Sequence, residues 1–506
     1  MLPEVHIAMF GPLPDQPTGL AMSVLRRAQA FAKVGTKSII LIDQFIPDID
    51  RHVAGLKADG QLSGGMIEIR SMHLDLAGRK PLSAPLDYVT PRNDEAPGWE
   101  YVQDSTRPEV WRGYLEGDYQ HFTWMRSETN VSFIDHLVNE GQIRVNRTWY
   151  DELGRPCKIE LMDARNKPYK IQYMDLHGRV YLEESVNGSP RYRLIGRDKS
   201  TNHFNSYDDL YNYWLRSFVF ASAVKPTLIS EYGKRKKVLN SLAEDLGANV
   251  VYTFHSSHLG APYTYGSPIR QDQREFISGI RDLPSLVVLT NEQKLDLEKQ
   301  FGALDNVHVI PHHVPKVELD TVRDPNKIVL VGRFDDGKGH SDALKAFKRI
   351  LERHPMASLE IYGRGQTEDS IRKEIADLGI SESARIMGFT KDAASVFAGA
   401  AVAFVPSKYE GFCLSMIEAM SQGCVPVAYG FKYGPLDIIQ NGVDGFIVAP
   451  GNISELADSC SFLLSNDSVR ENMSDTAKKV IQRFSEERLI SEWSYLFEKI
   501  GVTGLL

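Results

Sequence analysis

Cysteine is scarce in this chain of 506 residues: there are four, Cys157, Cys413, Cys424 and Cys460. No two of them stand in CxxC spacing. That excludes a disulfide-stapled secreted domain and a structural zinc ribbon, and it reads as reduced intracellular thiols. Long apolar runs are missing too, since no stretch reaches the roughly 18 uninterrupted apolar residues that span a bilayer. The first ten residues contain Glu4 and His6 and lack a basic n-region or a small-residue cleavage site, so no secretory leader is expected there. Positive charge is in deficit, with 58 Lys+Arg against 66 Asp+Glu and a formal net charge of −8. A nucleic-acid binder is therefore not expected, and any anionic partner has to be met by a local patch. The expectation is a cytoplasmic protein, with room for peripheral contact at the inner face of a membrane.

The length allows about three compact units at roughly 100–200 residues each. An apolar run at 5–10 is followed by the loop GPLPDQPTG (11–19), a helical pattern ending on Gly35, and the run KSIILID at 37–43. This β-loop-α-β opening starts a doubly wound half. From about 66 the texture changes to alternating aromatic and charged residues with frequent turn signals, among them two D-x-x-G-R segments at 151–155 and 175–179 and Asn187-Gly188. These predict an antiparallel β-meander inserted into the first half. Buried-strand patterns resume at 226–232, 249–255, 285–290 and 306–311. A second α/β series begins at 327–334 and continues through 358–363, 384–389, 402–407, 425–430 and 445–450. Two Rossmann-like halves joined near 312–326 would face each other across a cleft lined by strand C-termini.

The strongest local signal is SKYEGFCLSMIEAM, residues 407–420. It follows a buried strand and opens a helix, so the amides around Cys413, Leu414 and Ser415 stand at a helix N-terminus suited to phosphate. Glu410 and Glu418 frame that turn. A second signal is the strand-to-loop segment 331–339, in which Arg333 and Lys338 can both converge on a diphosphate. Cations there would meet the charge that grows on a leaving nucleoside diphosphate. His255-Ser256-Ser257-His258 ends a strand on the side of the same cleft, and it is not expected to bind zinc, because no carboxylate or cysteine follows at ligand spacing. Gly19 opens the first helix, where close approach of a substrate to backbone is possible.

These residues resemble the retaining glycosyltransferases of the GT-B fold. The insertion, the HSSH segment and the segments 287–301 and 431–439 resemble in particular the bacterial wall teichoic acid α-glycosyltransferases, which are poly(ribitol-phosphate) α-N-acetylglucosaminyltransferases and poly(glycerol-phosphate) α-glucosyltransferases. A sister group with a similar insertion glycosylates serine-rich adhesins. The resemblance implies two facing Rossmann-like domains, 1–65 with 206–315 and 316–485, a β-rich insertion at 66–205, and a last segment, 486–506, returning to the first domain. It implies UDP-GlcNAc or UDP-glucose as donor, a polyanionic teichoic acid as acceptor, and a homo-oligomer formed through the insertion. By the same resemblance Arg333 and Lys338 hold the diphosphate, Glu418 the ribose, and Gly388, Phe389 and Thr390 the nucleobase. Gly411, Leu414 and Ser415 would supply amides to phosphate, while His255, Glu410 and, less directly, His258 and Gly19 line the donor sugar. No cofactor and no metal are expected, because the leaving phosphate assists deprotonation of the acceptor hydroxyl.

Other classes fit less well. An NAD-dependent oxidoreductase would use Asp43 at the end of the second strand, but GPLPDQPTG does not supply G-x-G-x-x-G. A nucleotide-sugar epimerase has no need of so large an insertion, and a scaffold using the β-region as a binding module would not bind UDP. Within glycosyl transfer the alternative acceptor is a serine-rich protein. The basic cluster at 234–237 reads either as a solvated helix face or as a patch for a phosphate polymer.

Overall fold

The computed structural model describes residues 4–11, 13, 19–80, 97–128, 130–139, 141–223, 225–502 and 504. Most of the loop 11–19 lies outside the described residues; Gly19 lies within them.

Three sheets organise the chain. The first has seven parallel strands in the spatial order Val307–Val309, Leu286–Val288, Asn249–Phe254, Thr227–Ser230, Glu4–Met9, Lys37–Ile42 and Ile67–Ser71. The last has six parallel strands in the order Ala384–Gly388, Ser358–Tyr362, Asp324–Val331, Ala400–Val405, Val425–Tyr429 and Phe446–Val448. Numbered within itself, each starts from the Rossmann order 3-2-1-4-5-6, so each has a switch point between its first and fourth strands where ligands bind beyond the strand C-termini. Helices cover both faces of these sheets, and the inner strands accordingly read as unbroken apolar runs.

Inserted in the chain between the third and fourth strands of the first sheet is a ten-stranded antiparallel meander, from Trp99–Gln103 to Thr201–Phe204, with neighbours in sequence order. Its lower boundary differs from the sequence expectation of 66. Ile67–Ser71 pairs in parallel with Lys37–Ile42 and belongs to the first sheet. As an edge strand it alternates buried and solvated positions, the same pattern that marks a meander strand. Three of the meander's turns repeat one device. The carboxylates of the evenly spaced Asp151, Asp163 and Asp175 each accept backbone N–H groups two and four residues on, and Gly154, Asn166 and Gly178 turn the chain at positive φ. The middle copy escapes the D-x-x-G-R pattern because Asn166 and Lys167 replace glycine and arginine, and asparagine tolerates the left-handed conformation. The last strands share the core of the first half through Tyr181, Leu182, Tyr192 and Leu194.

The helix Glu486–Lys499 packs on the first helix, Leu20–Lys33, with Trp493 edge-on to Phe31 at 5.9 Å. Among the described residues no helix is long and apolar enough to cross a membrane. All four cysteines are free and buried.

The two segments 287–301 and 431–439 meet each other across the boundary between the halves. The helix Asn291–Phe301 leaves first-turn amides without helical partners. The Asp437 carboxylate of the second half accepts from Asn291 N at 2.9 Å, Asn291 Nδ2 at 3.0 Å and Glu292 N at 3.1 Å. Asp296, 1% exposed, accepts from Lys432 Nζ at 2.6 Å and the Tyr433 hydroxyl at 3.2 Å. Asp437→Ala should therefore destabilise the protein by about 1–2 kcal/mol in chemical denaturation, the scale of a lost helix cap. An unchanged unfolding midpoint would show that this clasp carries no weight.

Candidate active site

The second half supplies the phosphate side. The chain leaves the strand Asp324–Val331 into the loop 332–339, where Asp335 Oδ1 accepts from Gly337 N at 3.0 Å and shapes a tight turn. That turn directs Lys338 Nζ onto Glu410 Oε1, an oxygen that also accepts from Ser407 Oγ at 3.0 Å. Burial pulls the Lys338 ammonium down, and the adjacent Glu410 carboxylate more than offsets this, raising it above its ordinary value. Arg333 behaves differently: its side chain is 78% exposed and pairs with Asp335 at 3.3 Å. From the strand Ala400–Val405 the chain passes through Glu410 to the helix Leu414–Ser421, whose N-cap Cys413 adopts φ 72°. The amides of Leu414 and Ser415 stand at its open end, where the helix dipole favours an anion.

Glu418 sits in that helix and accepts from Arg26 Nη1 of the first helix at 2.9 Å, bridging the two halves. Gly388 ends the edge strand Ala384–Gly388, and Phe389 and Thr390 follow it. Gly388 O accepts from Gly363 N at 2.8 Å, and Phe334 N donates to Arg364 O at 3.0 Å, so the loops beyond three adjacent strands are tied into one rim. The Arg364 guanidinium lies over the Phe389 ring at 4.5 Å.

The first half brings its own switch point to the cleft. Gly19, at φ 53°, is the N-cap of the first helix. Glu231 follows the strand Thr227–Ser230, and His255 follows Asn249–Phe254. His255 Nε2 is 2.6 Å from Glu231 Oε2, which also accepts from the Thr253 hydroxyl at 2.8 Å, while Arg27 pairs with Glu231 Oε1. Burial alone would raise the Glu231 carboxyl, but Arg27 and the hydrogen bonds from His255 and Thr253 bring it down to about 2. His255 Nδ1 faces His312 Nε2 at 3.3 Å, and the two rings stack at 5.2 Å. His258 stands apart from this group. It is fully buried against the Tyr433 ring at 5.8 Å, and neither ring nitrogen has a hydrogen-bond partner.

The halves touch backbone to backbone at Gly411. A Cβ there would run into the His255 carbonyl and the Ser256 amide, which is why glycine is required. Glu410 itself is held by Lys432, whose carbonyl accepts from Glu410 N at 3.1 Å, and by Tyr433 N, which donates to Glu410 O at 2.9 Å. At the mouth, Tyr263 stacks on Tyr409 at 4.4 Å and the Arg270 guanidinium lies 5.4 Å from the Tyr409 ring.

His255, Lys338, Glu410 and Gly411 thus come together, with Ser415 and Glu418 on the adjoining helix. Sequence reading missed Arg26, Arg27, Glu231, His312 and Arg364, which carry no motif of their own. It also overcounted the basic cluster 234–237. Arg235 is bound to Asp43 at 3.3 Å and lies 4.1 Å from the Tyr207 ring, and Lys236 Nζ donates to Gly279 O at 3.1 Å, so only Lys234 and Lys237 are exposed. The same contact spends Asp43, the residue a dinucleotide reading would have used.

Burial lowers His258 to about 4 and, with the charges of His255 and Arg27, holds His312 well below its ordinary value. The unfolded chain takes up protons at both residues below about pH 6.5, whereas the folded chain takes one up at His258 only near pH 4 and at His312 well below the ordinary imidazole range, so stability must fall as pH drops below about 6.5. Urea denaturation should show the loss between about pH 7 and pH 5, and His258→Gln should narrow it. A drop of the same size in that variant would contradict the assignment.

Residues 316–480 match the family model described as glycosyl transferases group 1. The poly(glycerol-phosphate) α-glucosyltransferase of Bacillus subtilis is 25% identical over 392 residues, a stretch covering 73% of this chain and 56% of that relative's length. The Staphylococcus aureus TarM structure, in complex with Fondaparinux, α-GlcNAc-glycerol and UDP, superposes with a TM-score of 0.84 at 18% identity, covering 98% of this chain and 100% of TarM. The pneumococcal O-GlcNAc transferase GtfA, in complex with UDP and GlcNAc, gives 0.79 at 16% identity, covering 99% of each chain. Residues 316–480 thus match the glycosyl transferases group 1 family, within a chain that has the GT-B fold, with an antiparallel β-rich sheet inserted into its first half.

Proposed function

We propose that the protein is a retaining α-glycosyltransferase that moves GlcNAc or glucose from a UDP-sugar to hydroxyls of a poly(polyol-phosphate) wall teichoic acid. The observation that carries this reading is the Lys338–Glu410 pair, seated beside a helix N-terminus and closed by Gly411 onto the His255 carbonyl. In this reading Lys338, Arg333 and the amides of Leu414 and Ser415 take the donor diphosphate. Their fixed positive charge meets the charge that develops as the bond to the sugar breaks, which is why the reading needs no metal. Glu418 receives the ribose, prepared by Arg26, and Phe389 with its neighbours receives the base. Glu410 lies beside the sugar, and the leaving phosphate takes the acceptor proton on the face where the new bond forms. A polyol-phosphate acceptor is supported by the B. subtilis relative's activity and by the α-GlcNAc-glycerol bound to TarM. Lys234, Lys237 and Arg270 are the exposed or half-exposed cations of the first half offered to its phosphates. The β-meander serves assembly into a homo-oligomer, at the inner face of the membrane.

GtfA supports a second acceptor class, a serine-rich protein. Mass spectrometry of poly(glycerol phosphate), poly(ribitol phosphate) and a serine-rich polypeptide, each incubated with UDP-GlcNAc and with UDP-glucose, separates the two. Sugar is expected on a polyol-phosphate polymer; sugar on the polypeptide alone would overturn the acceptor assignment. Lys338→Ala and Glu410→Ala should each cut turnover by about 100-fold or more, the scale of a lost electrostatic contact to the transition state. Transfer near the wild-type rate in both would contradict the site.

A further inference from the structure

The charges behind His255 exceed what the fold needs. Glu231 is 0% exposed and Arg27 4%, so two full charges are enclosed in the first half. Enclosing such a pair is costly, and well-packed apolar side chains of the same volume are often as stable or more so. The pair is therefore to be understood by what it holds in place.

What it holds is His255. A carboxylate only accepts, so His255 carries its proton on Nε2 and donates it to Glu231 Oε2, beside the Thr253 hydroxyl. His255 Nδ1 faces His312 Nε2 at 3.3 Å, and the His312 ring meets Phe412 edge-on at 5.8 Å. Phe412 follows Gly411, and Gly411 follows Glu410. With both ring nitrogens committed inside, His255 presents its carbonyl to the cleft, against Gly411. Two contacts thus run from one buried carboxylate into the loop that carries Glu410: the His255 carbonyl on Gly411 and the His312 ring on Phe412. Arg27 anchors the other end and lies 5.1 Å from the Trp493 ring of the C-terminal helix.

We propose that Glu231 is a positioning residue for sugar transfer: through His255 and His312 it sets Gly411 and Phe412, and with them the Glu410–Lys338 pair, across the boundary between the two halves. The proposal rests on the glycosyltransferase reading of that pair. Glu231 touches none of the groups assigned to the nucleotide, since Arg333, Lys338, Phe389 and Glu418 all belong to the second half. Its loss reaches the nucleotide only through the Glu410–Lys338 pair and leaves Arg333, Phe389, Glu418 and the amides of Leu414 and Ser415 untouched, so the rate of transfer falls far more than nucleotide affinity, whereas a general weakening of the fold would lower both alike.

In Glu231→Gln one carboxylate oxygen becomes an NH2 group that opposes either Arg27 or the two donors Thr253 and His255. In the double variant Arg27→Gln/Glu231→Gln the two amides can pair, and the remaining oxygen of Gln at 231 can again accept from His255. The test measures UDP release from UDP-GlcNAc and UDP-glucose in the presence of poly(glycerol phosphate), together with UDP affinity by calorimetry. For Glu231→Gln a fall in kcat of about 30-fold or more is expected with the UDP Kd within about twofold of wild type, and about tenfold of the lost rate should return in the double variant. A Glu231→Gln protein with wild-type kcat overturns the proposal. So does one whose kcat and UDP affinity fall together and stay low in the double variant. A wild-type protein that neither binds UDP nor releases it from either sugar nucleotide overturns the glycosyltransferase reading itself, and the proposal with it.

Discussion

The site depends on one contact without side chains: the backbone of Gly411 against the carbonyl of His255. Two Rossmann-like sheets can face each other at many separations, and the chemistry needs one. A backbone-to-backbone contact sets that distance more narrowly than a pair of flexible side chains can, because there is no rotamer to absorb a shift. Around it the second half places Glu410 and Lys338, and the first half places a ring whose own position is fixed by buried charge. The clasp of Asp437 on the helix Asn291–Phe301, with Lys432 and Tyr433 on Asp296, holds the same two bodies together nearby. It joins the contact directly, since Lys432 and Tyr433 are also the backbone partners of Glu410.

Charge is distributed in keeping with this arrangement. A protein of net charge −8 has no general attraction for phosphate, and much of its local positive charge is already paired within the fold: Arg235 with Asp43, Arg27 with Glu231, Arg26 with Glu418 and Lys338 with Glu410. The last two pairs are the informative ones. In each a cation holds a carboxylate in the cleft, so that the carboxylate meets a ligand already oriented, and ordering it on binding costs less. Arg26 and Arg27 are adjacent on one helix, yet one bridges to the second half and the other stays within the first. That helix begins at Gly19, so a single element links Gly19, the Glu418 carboxylate and the His255 network.

How much of this the sequence disclosed follows from where each signal resides. The parallel strands were legible because both faces are covered and their apolar runs are unbroken. The turn around Glu410 was legible because strand, turn and helix are contiguous. Ile67–Ser71 was misplaced because an edge strand covered on one side alternates just as a meander strand does. Asn166 hid the middle turn of the repeat by doing the work of a glycine. The cluster at 234–237 looked like a free patch because spacing does not show that Arg235 and Lys236 turn inward. The deepest gap is the network behind His255: Arg27 and Glu231 are 204 residues apart, and Arg26 and Glu418 are 392 apart. No local window contains such pairs, and only the packed sheets bring them together.

The proposed active centre exists only while the two halves are in contact at Gly411. Gly411→Ala tests this most directly, because the added methyl group has no room beside the His255 carbonyl and must force the halves apart while leaving Lys338, Glu410, Glu231 and His255 unsubstituted. The measurement is the rate of UDP release from the sugar nucleotide that supports turnover, made on variant and wild type with matching circular dichroism. A loss of about 100-fold or more is predicted, the effect of displacing reacting groups by about an ångström. Wild-type turnover in Gly411→Ala would contradict the claim.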